Sequence, residues 1–336
     1  LISEVKSIQE GTPFTVALRL KMEHNWHTYW KNPGDAGMAT RLEWDLPQGF
    51  AAGSIQWPYP QSFKLGDLIG FGYGGEVLLL VRIQVPESLD HKRVKLAARA
   101  RWLACDDKQC VMGRAQLNLE LPVSSEKPTR NTRWQALFAK ARQEIPRTPE
   151  SLVRAHWLGE TGNQIQLRVG GYQQEDSQIV EATFYPIDGD MIDYGAPQLF
   201  KWVLKWSRNG FALGLKPSPY RRTFTFRIEI DAEGDMNRGV VPDDLRQAFD
   251  KHGITLADSA AVLPLESDRA WTISDQKKAY TVTKEGKTLN VSQRLRGVLV
   301  IESDDRTEAL DIDVPLGTSG EGESVSSEPT SSAVVP

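Results

Sequence analysis

The feature that most constrains this chain is a period of two on both flanks of its only two cysteines. Residues 94–103 alternate apolar and polar side chains, and residues 115–121 do the same. Alternation of that kind sends every second side chain to one face, which marks a strand with one buried side. Cys105 and Cys110 lie between the two runs, separated by Asp106, Asp107, Lys108 and Gln109. Four polar residues between two such strands predict a hairpin loop. The cysteines are then expected opposite each other at its base, where a directly opposed antiparallel pair brings Cβ atoms near disulfide distance. Such a pair can open and close with little backbone movement. A bridge across so short a loop removes little chain entropy, and a domain of this size has ample core without it. Spacing alone leaves two readings level: a structural staple or buried thiols, and a redox centre.

Elsewhere the chain predicts an all-β protein of two domains. Residues 14–22, 41–47 and 76–86 read as strands, and 54–60 as extended because residues before proline avoid the helical region. Residues 64–75, with five glycines, read as a loop. Residues 124–128 form a linker, and Trp134, Leu137, Phe138 and Ala141 fall at helical spacing, predicting a short helix over 130–144 ended by Pro146. Strands resume at 165–169, 181–186, 199–206, 210–215, 223–230, 297–302 and 309–314, with a well-capped helix at 242–252. The expected organisation is a β-sandwich with the cysteine pair over 1–123, a linker with a short helix over 124–149, a second sandwich over 150–316 and a disordered tail over 317–336. The second sandwich has no cysteine and cannot itself exchange disulfides.

A net charge of −4 argues against a nucleic-acid surface. No apolar run approaches the roughly 20 residues of a membrane-spanning helix. Residues 1–5 read as mature sequence, as cleavage of a signal peptide would leave them. Two rival uses of the first domain follow from its residues. His24 and His27 with Cys105 and Cys110 would make a four-ligand set suited to zinc or copper, although positions three apart on a regular strand face opposite ways. Trp26, Tyr29, Trp30, Trp57 and Tyr59 would make a glycan- or partner-binding platform on a sandwich whose bridge is structural, although such rings are more often core.

Three stretches together resemble the periplasmic N-terminal region of membrane thiol:disulfide interchange proteins of the DsbD/ScsB type. They are His24-Asn25-Trp26-His27-Thr28-Tyr29-Trp30 with Asn32-Pro33-Gly34-Asp35-Ala36-Gly37, Gly72-Tyr73-Gly74-Gly75-Glu76-Val77, and Trp102-Leu103-Ala104-Cys105 through Cys110. The second half is similar to the continuation in longer, ScsB-like members through Phe184-Tyr185-Pro186 and Gly297-Val298-Leu299-Val300. The resemblance spans roughly residues 10–316. It implies immunoglobulin-like folds and a protein-disulfide reductase activity in the periplasm; no cofactor is expected and no residue is assigned to a metal. Electrons would come from the protein's own membrane and thioredoxin-like domains and pass to thioredoxin-like periplasmic partners. Cys110 would form the mixed disulfide and Cys105 would resolve it. A cap loop would shield the pair, its counterpart being 66–75 with Phe71 or Tyr73 as the covering ring. Trp102, Asp106, Asp107 and Lys108 flank the pair and are expected to meet the partner. Asp106 and Asp107 should raise thiol pKa values, with Lys108 a partial offset, so the dithiol is expected to be protonated at neutral pH.

Overall fold

A computed structural model describes residues 1–158, 164–172, 179–189, 191–203, 210–218, 226–230, 272–276, 279–284 and 287–317. The helix expected at 242–252 and, apart from Gly317, the tail expected to be disordered lie outside these residues.

The first half folds as two facing sheets. Its strands are β1 (Ile2–Ser3), β2 (Phe14–Lys21), β3 (His27–Gly34), β4 (Arg41–Asp45), β5 (Ala51–Gln56), β6 (Gln61–Leu65), β7 (Leu68–Gly74), β8 (Glu76–Gln84), β9 (Arg93–Cys105) and β10 (Cys110–Pro122). One sheet runs β1-β2-β8-β5, and the other runs β10-β9-β3-β7-β6 with β4 also paired to β9. The alternation read from the sequence decides which side chains fill the gap between them. On β2, Phe14, Val16, Leu18 and Leu20 face inward, opposite Ile83, Val81, Leu79 and Val77 of β8, and all eight are buried. Val94, Leu96 and Ala100 of β9 and Trp30 of β3 answer them from the second sheet. Burying each large side chain contributes about 1.5–3 kcal/mol.

Residues 64–75 are not a loop, as their glycines suggested, but most of the β6–β7 hairpin, which turns at Gly66 with φ +66°. The glycines serve close approach in the sheet rather than chain freedom. A Cβ on Gly72 would lie 1.8 Å from the Thr28 carbonyl oxygen of the neighbouring strand.

Helix α1 (Gln135–Gln143) is shorter than expected at its N-terminus. Arg130 instead forms a bridge with Val5, and Asn131 donates its N–H to the Glu4 carbonyl, so the preceding residues are held as extended chain. Phe138 and Ala141 bury against Ile2, Ala17, Leu78 and Leu80 on the outer side of the first sheet.

The second half is also mainly antiparallel β. Among the described residues its strands include Val153–Leu158, Gln164–Gly170, Ile179–Pro186, Leu199–Val203, Gly210–Leu215, Lys287–Ser303 and Thr307–Gly317. The first of these was not anticipated, and the strand expected at 223–230 is described from Phe226. Ile165, Leu167, Phe184, Phe211, Leu213 and Leu299 fill its core. The protein is thus mostly β, of the antiparallel immunoglobulin-like sandwich class. The halves meet where Phe71 packs edge-on against Tyr185 and Tyr194, at centroid distances of 5.3 and 4.9 Å. The buried Asn32 side chain also donates to the Pro186 carbonyl at 2.8 Å.

Candidate active site at the Cys105–Cys110 hairpin

β9 and β10 pair without a slip over their whole length, and the register sets Cys110 directly opposite Cys105. Their Cα atoms are 4.1 Å apart and the sulfurs are bonded. Loop and register are as the alternation predicted. The loop holds its shape through Asp106, whose carboxylate accepts the Lys108 and Gln109 N–H groups at 2.8 Å each. Asp106 N–H in turn donates to the Gln109 carbonyl at 3.0 Å. The bonds from Lys108 and Gln109 stabilise the charged carboxylate and hold its pKa below the usual value.

The two sulfurs sit in different surroundings. Cys105 is fully buried and Cys110 is exposed. Beyond Cys110 the chain stays open to solvent, with Val111 49% and Met112 66% exposed.

Cys105 is covered from β3. His27 is its direct cross-strand partner, and the Tyr29 hydroxyl donates to Cys105 Sγ at 3.1 Å. Burial holds the Tyr29 phenol above its ordinary pKa, so it remains a donor. Its ring lies close to two glycines: a Cβ on Gly37 would meet it at 2.3 Å and one on Gly70 at 3.5 Å. The His27 ring stacks on Phe63 at 4.6 Å and meets Tyr29 edge-on at 5.3 Å. His27 is buried and its Nε2 has no hydrogen-bond partner. Burial lowers its pKa, and the nearby Asp107 and Asp106 carboxylates oppose that shift in part.

This arrangement corrects the expected cap. Gly74 pairs with His27, and His27 pairs with Cys105, so the three share one face of the sheet. Along β7, Gly70, Gly72 and Gly74 therefore point to the cysteine side, and Phe71 and Tyr73 point away. Both are buried in the core, where the Tyr73 hydroxyl donates to the Pro58 carbonyl at 2.8 Å. The aromatic side chains beside the cysteines are instead Tyr29, His27 and Phe63. Tyr29 and His27 stand in the quoted aromatic stretch, but only strand pairing shows that they face the pair. Phe63 has no sequence signal beyond its place before a glycine-rich run.

Trp102 also lies on the face opposite the cysteines, the face it shares with Ala104 on β9, while Leu103 lies on the cysteine side. It packs partly into the core and lies against Gly113, where a Cβ would meet its ring at 2.2 Å. With Leu20, Met22, Trp26, Ala104 and Val111 it lines a groove of about 570 Å³ between the two sheets. Asp107 and Lys108 are exposed at the loop tip, while the Asp106 carboxylate is turned to its own loop.

The residues of the two rival sets fall in different surroundings. His24 is exposed in the β2–β3 turn while His27 is buried in β3, and the cysteines are bonded to each other. Among the described residues no group of three or more His, Cys, Asp or Glu is placed to hold a metal ion. Tyr29 and Trp30 are buried, Trp57 and Tyr59 pack on the core, and Trp26 is half-buried in the groove beside Trp102, so the five rings do not share one open face. No helix among the described residues is long and apolar enough to cross a membrane.

The first half is thus an immunoglobulin-like sandwich carrying one hairpin disulfide, with one cysteine sealed and the other open. Residues 3–122 match the family model described as "Thiol:disulfide interchange protein DsbD, N-terminal". The match spans about a third of the chain. Comparison with curated proteins gives no match. Among solved structures, the N-terminal periplasmic domain of ScsB from Proteus mirabilis is similar at 15% identity and a TM-score of 0.47, over 92% of this chain and 91% of that one. A likeness at that level decides nothing about function.

Proposed function

We propose that the Cys105–Cys110 pair is redox-active and that this chain carries electrons in the periplasm from a membrane-embedded reductase domain to thioredoxin-like proteins. One observation carries the reading: Cys110 is exposed and Cys105 is fully buried. Exchange needs a thiolate to reach a disulfide sulfur along the bond axis, so an incoming thiolate meets Cys110. A new bond then forms to Cys110 Sγ, the Cys105–Cys110 bond breaks, and the electron pair leaves on Cys105 Sγ. A second thiolate from the donor releases it from Cys110, and the domain is left as a dithiol. In the forward direction Cys110 attacks the acceptor's disulfide and Cys105 resolves the mixed disulfide. The Tyr29 hydroxyl at 3.1 Å is placed to hold the charge that develops on Cys105 in either direction.

The exposed Met112, two residues beyond Cys110 and on the same face of the strand, offers apolar surface to an acceptor, and Asp107 and Lys108 offer charge at its rim. We assign residues 1–123 to the exchange domain, 124–149 to the linker and 150–316 to a second domain that supports it through the Phe71 and Asn32 contacts. The test is capture. A Cys105→Ala variant, reduced and mixed with an oxidised thioredoxin-like protein, should accumulate a mixed disulfide through Cys110. Cys110→Ala should accumulate little. Equal trapping by both variants, or by neither, would defeat the assignment.

A further inference from the structure

His27 Nε2 is buried and has no hydrogen-bond partner. Buried polar atoms are nearly always paired, so an orphan in a well-packed place needs a cause. Its place is specific. His27 is the cross-strand partner of Cys105 on the same face of the sheet, which sets the two Cβ atoms about 4.5–5.5 Å apart. Phe63 stacks on the imidazole and Tyr29 meets it edge-on, so the ring is held in one orientation. The ionisable groups that reach it are Tyr29 on its own strand and Asp106 and Asp107 in the hairpin loop; Phe63 from β6 and Gly74 from β7 carry no charge. In the oxidised protein Cys105 has no proton, and its sulfur already accepts from Tyr29. In the reduced protein it carries a proton in a buried site, where a thiol ionises reluctantly.

We infer that His27 Nε2 accepts the Cys105 thiol proton in the reduced protein and returns one when Cys105 leaves as a thiolate. The inference rests on the assignment of Cys110 as the attacked sulfur and Cys105 as the resolving one. With an acceptor's sulfur bonded to Cys110, the Cys105 S–H proton passes to Nε2. The Cys105 thiolate attacks Cys110 Sγ, and the Cys105–Cys110 bond forms as the bond from Cys110 to the acceptor breaks. The electron pair leaves on the acceptor's sulfur, and the imidazolium proton neutralises that thiolate directly or through water. In the reverse direction the incoming thiol gives its proton to Nε2, directly or through water, as its sulfur attacks Cys110, and the imidazolium so formed protonates Cys105 as it is expelled. Burial suits the ring to this task, since it keeps the imidazole neutral and able to accept at neutral pH. Asp106 and Asp107 stabilise the imidazolium once it forms.

The test uses the reduced protein and an aromatic disulfide, dithiobis-nitrobenzoate, which releases two coloured thiolates in succession. The first marks attack by Cys110 and the second marks resolution by Cys105. Positioned acid–base groups contribute roughly 10²–10⁴-fold, so His27→Asn should slow the second phase at least about tenfold at neutral pH. The wild-type second phase should fall off in acid with an inflection below the ordinary imidazole pKa. The variant should lose that inflection and speed up steadily with rising pH as the thiol ionises unaided. A variant with an unchanged profile and a rate within about twofold of wild type would overturn the inference. Mass mapping of the first adduct keeps the two assignments apart: an adduct on Cys105 refutes the sulfur assignment itself. Should His27→Asn fail to fold, nitrogen resonances of the wild-type ring decide. Nε2 should show a hydrogen bond and an altered titration on reduction, and identical titrations in both redox forms would refute the role.

Discussion

Tyr29→Phe removes one oxygen from the interior and leaves the ring in place. Tyr29 is 1% exposed, and its hydroxyl donates to Cys105 Sγ at 3.1 Å. In the oxidised protein that sulfur is a weak acceptor, so losing the bond should cost only about 0.5–1 kcal/mol of stability. When Cys105 is expelled the sulfur becomes a thiolate, and a hydrogen bond to a charged group is worth about 1.5–3 kcal/mol. The difference acts on the transition state, where the charge is forming. At about 1.4 kcal/mol per factor of ten, a difference of about 1–2 kcal/mol corresponds to roughly a 5- to 30-fold slower reduction. The assay is stopped-flow reduction by excess small thiol, with denaturant unfolding of the oxidised protein in parallel. Burial keeps the phenol protonated beyond its ordinary pKa, so the wild-type advantage should persist into mildly alkaline solution. A variant reduced within about twofold of the wild-type rate would show that Tyr29 only fills space. A large loss of stability with no separate kinetic effect would say the same.

Three further outcomes follow from the same geometry. Gly72→Ala should destabilise the oxidised protein by about 3 kcal/mol or more, measured by denaturant unfolding, because its Cβ would fall 1.8 Å from the Thr28 carbonyl of an adjacent strand that cannot move without loosening Tyr29. Phe63→Ala should speed reduction by small thiols, since it strips the ring stacked on His27; an unchanged rate would mean that Phe63 shields nothing. The Asp106 carboxyl, held below its usual pKa by the Lys108 and Gln109 N–H groups, steadies the hairpin loop above the unfolded carboxylate pKa and stops doing so as pH falls through the lower folded value. Amide exchange at Lys108 and Gln109, corrected for intrinsic rates, should therefore gain protection up to the carboxylate range and change little above it.

Much of the hairpin was legible in the residues. The alternation over 94–103 and 115–121, with four polar residues between, was enough to place the cysteines opposite each other. Phe138 and Ala141 showed the buried side of the one described helix for the same reason, a period matched to its geometry. The glycines of 64–75 misled because glycine marks two different needs, a turn or a close approach, and composition does not separate them. Gly66 meets the first and Gly72 the second.

Period and loop length are local properties, so the chain alone determined that two strands would fold back and bring the sulfurs together. It could not determine which sulfur would be sealed. Cys105 is covered by β3, and Tyr29 is 76 residues away in sequence. His27, Tyr29 and Phe63 gather at the pair because β3 joins β9 on one side and β7 on the other, and β7 carries β6 beside it. Partners so far apart are chosen by how the two sheets fill the space between them. That choice decided which face of β7 meets the cysteines, and it set Phe71 and Tyr73 into the core with bare glycines beside His27 and Tyr29.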